Sequence, residues 1–133
     1  FPGLIDRLMH MVNFDQPYIK KEALWSLCNI TNSGTLKQIA YLVQCGFIQL
    51  LVYQLDSSEN PKMLAVCLEA INNILTHGAK LIPERGENTF FSIFEAAGGT
   101  GKVEKLQLHP ADEVHGNALL ILETFYDIEN FLQ

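Results

Sequence analysis

Glu22, Trp25, Asn29 and Asn32 stand three, four and three positions apart, so on a helix they share one face. A carboxylate, an indole and two amides in that order suit the holding of a ligand rather than covalent chemistry. The indole packs against aliphatic stems and cations, the amides bond a peptide backbone, and the acid attracts positive charge. An extended basic segment is the ligand class that uses all three. The same spacing also suits a packing Trp25 flanked by solvated amides, which is the more frequent use of an aromatic at helical spacing.

Other chemistry-bearing residues point away from catalysis. His10, His77, His109 and His115 fall on separate elements, with no cysteine or paired carboxylates at helical spacing beside them. Asp112 and Glu113 suit the positive end of a helix better than proton transfer. Gly98-Gly99-Thr100-Gly101-Lys102 has the glycine content of a phosphate loop, but Val103 stands where Ser or Thr is required and no strand precedes it. Cys28, Cys45 and Cys67 lie in apolar helical contexts without CxxC or Cys/His ligand spacing, and read as buried, reduced thiols of a cytosolic or nuclear protein. The residues therefore indicate no enzyme, no cofactor and no metal.

The 133 residues carry a net charge of −6, with 48% hydrophobic and 18% charged residues. This composition is globular and the length suffices for one core. The acidic balance argues against nucleic acid, which needs a basic face, and Lys20-Lys21 is too short to supply one. No apolar run reaches the length of a membrane span, and no signal peptide opens the chain. The start, Phe1-Pro2-Gly3-Leu4, lacks Met and drops straight into an apolar pattern, as expected of a fragment of a longer protein. Apolar surface around Phe1, Leu4 and Leu8 would then favour end-to-end association.

Helical elements must position these residues. A short helix carries Leu4, Ile5, Leu8 and Met9. The first long helix starts at Pro17 and stops before Gly34, with Ile19, Ala23, Leu27 and Ile30 as its apolar stripe. Thr35 caps a short helix with Ile39, Leu42 and Val43, closed by Gly46. Phe47 to Leu55 could pass for a buried strand, but the spacing of Ile48, Leu51, Val52 and Leu55 predicts a helix. A second long helix runs from Pro61 to about His77, with Cys67, Leu68, Ile71, Ile74 and Leu75 inward. Gly78 to Gly86 is expected as a linker. A short helix over 88–97, a medium one holding Val103, Leu106 and Leu108, and a third long one from Ala111 to about Tyr126 complete the chain.

The order short, medium, long repeats. At the offset between Gly46 and Gly98, Ile39 meets Phe91, Leu42 meets Phe94 and Leu51 meets Val103. At the offset between Asn29 and Asn73, Trp25 meets Glu69. Three-helix units of about 40–47 residues are the armadillo pattern. The expected architecture is an all-α, right-handed α-solenoid of about three armadillo repeats (residues 1–34, 35–81 and 82–133, the first incomplete), with third helices lining a concave groove.

The stretch from Lys21 to Asn29, Gly34-Thr35-Leu36-Lys37-Gln38-Ile39-Ala40-Tyr41-Leu42-Val43-Gln44-Cys45-Gly46, Leu68 to Leu75, and Gly98-Gly99 with Lys102 to Gln107 together resemble importin-α, the nuclear-import adaptor, at the C-terminal end of its armadillo array. The resemblance covers most of the chain in order. It implies an adaptor that shuttles between cytoplasm and nucleus and binds lysine- and arginine-rich nuclear localisation signals on cargo proteins. Trp25 and Asn29 would be one rung of the minor binding site, Glu22 its acid, and Asn32, Glu69 and Asn73 further contacts. Glu69 stands where the next rung would carry Trp, and Leu119 with Glu123 occupy the third, so one full rung remains. Glu95 and Glu104 would meet the recycling exportin, although Phe94-Glu95-Ala96-Ala97-Gly98-Gly99 carries one acid where relatives commonly have two. Importin-β would bind through a segment this chain does not include. The rival readings are an armadillo scaffold without preference for basic peptides and an enzymatic or cofactor-binding helical domain.

Overall fold

Prolines, glycines and capping side chains punctuate this chain into helices. The computed structural model describes residues 3–126, and nine helices follow one another within them: α1 (Leu4–Phe14), α2 (Pro17–Ser33), α3 (Leu36–Gln44), α4 (Phe47–Ser57), α5 (Pro61–Ala79), α6 (Ile82–Arg85), α7 (Thr89–Ala96), α8 (Gly99–Leu106) and α9 (Asp112–Phe125). Pro17 and Pro61 occupy first turns, where the missing N–H is no loss. Thr35 and Gln38 form a reciprocal capping box at α3, and the Asn60 and Asn88 carboxamides cap α5 and α7. Asp112 and Glu113 lie in the first turn of α9, where the helix dipole favours them.

The result is an all-α solenoid in which α3–α4–α5 is echoed by α7–α8–α9. Gly46 and Gly98 link the first two helices of each group with nearly identical dihedrals, φ 91°, ψ 20° and φ 83°, ψ 19°. Residues with a Cβ enter that left-handed region at a cost, which explains glycine at both. At Gly46 the chain turns through 70° between α3 and α4. The third helices stack in order, with α5 packed against α2 on one side and α9 on the other. The equivalences hold in the core: Ile39, Leu42, Leu51, Phe94 and Val103 are wholly buried, while Phe91 is half-buried.

Several sequence expectations shift. On α2 the buried residues are Ala23, Leu24, Leu27, Cys28 and Thr31, with Ile19 and Ile30 only half-buried, because α1 and α5 cover the helix from two directions. Leu108 lies beyond the end of α8 and is 84% exposed. Cys28 and Cys67 are buried, but Cys45 at the end of α3 is half-exposed. The Gly78–Gly86 stretch is no slack linker: α5 continues through Ala79 and α6 folds within it. Gly78 makes that join possible, since a Cβ there would run into the Asn88 carboxamide and the Phe90 Cβ. The Asn88 amide in turn donates to the Leu75 carbonyl at 2.9 Å, fixing α7 on α5. Of the apolar N-terminal residues, Leu4 is exposed and Leu8 half-buried, while Phe1 lies outside the described residues.

Polar contacts between helices add to the frame. The Tyr41 hydroxyl donates to Asp6 at 2.6 Å, tying α3 to α1, and the Asp6 carboxylate pushes the phenol up to about 12. Lys102 on α8 pairs with Asp56 on α4. No helix among the described residues is long and apolar enough to cross a membrane by itself.

Candidate peptide-binding face

Trp25 sits near the middle of α2, half-buried, with part of its ring packed on the core and part open. Glu22, one turn earlier, and Asn29, one turn later, are exposed, and neither side chain has a hydrogen-bond or ion-pair partner among the described residues. An indole with an open face, a free carboxylate and a free carboxamide thus stand in a row along one helix.

The next amides behave differently. Asn73 on α5 donates to Asn32 Oδ1 at 2.8 Å and to Thr31 Oγ1 at 3.2 Å, while the Thr31 hydroxyl donates to the Cys28 carbonyl at 2.6 Å. Asn32 and Asn73, both expected to contact ligand, are brought together and bonded to each other across the α2–α5 seam. Sequence reasoning passed over Thr31, the one fully buried polar residue among those described. Its signal was a hydroxyl inside an apolar helix arc, placed to bond back to the preceding turn. The Cys67 thiol beside it and burial hold the Cys28 thiol well above its ordinary range.

Along α5, Glu69 is exposed and unpaired, so it adds negative charge beside the Trp25 row. On α9, Leu119, Leu120 and Glu123 are exposed. Glu95 on α7 and Glu104 on α8 also lie exposed. The Tyr126 phenol is raised first by burial and then by the charges of both carboxylates, against the lowering effect of its bond to Thr100.

Shallow grooves mark the surface of the described residues, three of them well defined. One of about 880 Å³ lies between α1, α2 and α3, one of about 790 Å³ beside the starts of α2 and α5, and one of about 650 Å³ between α3 and α7. Trp25 and Asn29 line none of these three. With Trp25 half-buried and Glu22 and Asn29 exposed, the row suits an extended segment laid along the helix. No group of three or more His, Cys, Asp or Glu side chains among the described residues converges on a point that could hold a metal.

Comparisons agree with this architecture. The family described as "Armadillo/beta-catenin-like repeat" matches residues 36–76, and that described as "Atypical Arm repeat" matches residues 88–131. The chain is 33% identical over 128 residues to importin subunit alpha-5 of Arabidopsis thaliana, covering 96% of this chain and 24% of that protein. It is 31% identical over 107 residues to importin subunit alpha-8 of the same plant, covering 80% of this chain and 24% of the relative. With importin subunit alpha-B of Dictyostelium discoideum it shares 35% identity over 99 residues, 74% of this chain and 19% of the relative. The chain thus spans about a quarter of the length of the relatives it matches. It belongs to the armadillo-repeat proteins, and its repeats are those of the importin-α family.

Proposed function

We propose that this chain is part of a nuclear-import adaptor, and that its α2 face binds a lysine- and arginine-rich localisation signal on cargo in extended form. The observation that carries this reading is the half-open Trp25 between an unpaired Glu22 and an unpaired Asn29. The indole takes the aliphatic stem and cation of one basic side chain. Asn29 satisfies backbone groups that an extended ligand cannot satisfy for itself. Glu22 and Glu69 raise the local concentration of positive charge and discriminate against acidic peptides. Asn32 and Asn73 take a positioning role: their mutual bond, with Thr31 beneath it, sets the spacing of α2 and α5. As parts of the same reading, the three repeats divide near residues 34 and 81, the protein shuttles between cytoplasm and nucleus, importin-β binds through a segment outside this chain, and the recycling exportin meets the edge around Glu95 and Glu104. The role is adaptor rather than enzyme, with no cofactor.

The test is titration of a fluorescent Lys/Arg-rich localisation peptide, with a charge-matched scrambled peptide and Trp25→Ala as controls. Saturable binding that needs both the ordered sequence and Trp25 supports the reading. Equal binding of the scrambled peptide reduces the face to a non-specific acidic surface, and favours an armadillo scaffold without basic-peptide preference.

A further inference from the structure

The stretch that departs from the repeated helix pattern, Gly78 to Gly86, does more than bridge two groups of helices. Within it, α6 forms one wall of the groove of about 650 Å³ between the first helices α3 and α7. The floor is apolar, with Val43, Leu81, Phe90 and Ile93 contributing edges of side chains otherwise packed into the core. The charged residues of its lining are Lys37 on α3 and Arg85 on α6, both exposed, and neither forms an ion pair among the described residues. Among the described residues no acidic one lines it. In a chain of net charge −6, an apolar groove carrying only cations is a local reversal of the surface charge.

We infer that the α3–α6–α7 groove is a second docking surface, and that its occupant is an acidic amphipathic segment of a partner protein, apolar residues in the groove and carboxylates on Lys37 and Arg85. The argument is charge complementarity. An apolar segment alone would leave both cations beside it unpaired, and a basic segment would be repelled by them. A segment with an apolar stripe and flanking Glu or Asp satisfies floor and rim together, the helix-in-groove mode of recognition. The groove is lined by first helices and by α6, whereas the Trp25 row lies on the third helix α2, so the two surfaces can be occupied at once.

The experiment uses the whole chain and a fluorescein-labelled peptide of Leu and Glu, with Leu at i, i+3, i+4 and i+7, beside a counterpart with Gln for Glu. The Leu/Glu peptide is expected to saturate at micromolar concentration, to weaken as salt rises, and to bind unchanged to Trp25→Ala. The double variant Lys37→Glu/Arg85→Glu, which alters only exposed side chains, is expected to bind it about tenfold or more weakly. Its thermal unfolding is expected to match that of the parent. Absence of saturation, equal binding of the Gln counterpart, or indifference to the double charge reversal would each overturn the inference. A concentration-dependent dimer in sedimentation equilibrium that is lost in the double variant would instead assign the groove to a second copy of the chain, and would overturn it too.

Discussion

Asn29 on α2 and Asn73 on α5 hold the same place in successive third helices, yet their amides have different employment. Asn73 is spent within the protein, bonded to Asn32 and Thr31 on the neighbouring helix, whereas Asn29 has no side-chain partner among the described residues. The positions one turn earlier differ as well, an indole at Trp25 and a carboxylate at Glu69. The two helices have different neighbours: α5 packs against the third helices α2 and α9, and α2 packs against α1 and α5. The Asn73 amide is within reach of fixed acceptors on α2 and is structural; Asn29 is exposed and has none among the described residues. Residue type at a repeated position therefore does not settle its job.

The comparison breaks most visibly at Trp25. Trp25→Ala is expected to weaken a basic peptide by about 1–3 kcal/mol, the range of an aromatic anchor in a groove, while thermal stability falls only modestly because part of the ring is already in solvent. Isothermal titration and thermal unfolding on the same variant separate the two effects. A sharp fall in melting temperature with affinity retained would make Trp25 a packing residue and erase the difference between α2 and α5.

Beneath the differing surfaces the backbone repeats, and this too can be measured. Gly46→Ala and Gly98→Ala each place a Cβ in the left-handed region at a strain of about 1–2 kcal/mol. Neither meets an obstacle: a Cβ at Gly98 has nothing within 4 Å, and one at Gly46 has Gln49 Oε1 at 3.9 Å. Chemical denaturation should therefore show losses equal within error. Unequal losses would mean that the two groups of helices share a pattern without sharing the constraint.

Much of this frame was readable from residue order. Gly46, Gly98, Pro17, Pro61 and the Thr35 cap act through local dihedrals and neighbouring N–H groups, and local rules carry them. The apolar spacing of Ile48, Leu51, Val52 and Leu55 rightly favoured a helix at α4, and all four are buried. The short helix α6 was not legible, because four residues make no period. The Asn73–Asn32 bond was not legible either, since it joins residues far apart in sequence, and the sequence offered Asn32 and Asn73 as ligand contacts like Asn29. Thr31 could have been noticed as the hydroxyl beneath them.

The bond itself gives a smaller test of the same contrast. Asn73→Ala removes both donors to α2 at a site partly open to water, so the loss is expected near 1 kcal/mol, the net value of a typical hydrogen bond. Asn29→Ala should leave stability unchanged within about 0.5 kcal/mol, as for a surface change without partners, and should weaken peptide binding. If the two variants destabilise equally, the division between a structural and an available amide fails.

Glu69→Ala is expected to have the smallest effect, and its dependence on salt is the informative part. Glu69 is exposed and unpaired, so its attraction for a bound lysine or arginine acts through solvent and is screened within about 10 Å at 0.1 M salt. Exposed ion pairs contribute about 0.2–1 kcal/mol, so the loss of affinity should be about 1.4- to fivefold at low ionic strength and should vanish near 1 M salt. Trp25→Ala should keep most of its effect at high salt, because packing of the indole on an aliphatic stem is not screened. Parallel titrations at the two ionic strengths would then divide the face into a packing part on α2 and a charge part on α5. A salt-independent loss at Glu69 would mean that this carboxylate bonds its ligand directly in a desolvated contact, and that α5 contributes to recognition on equal terms with α2.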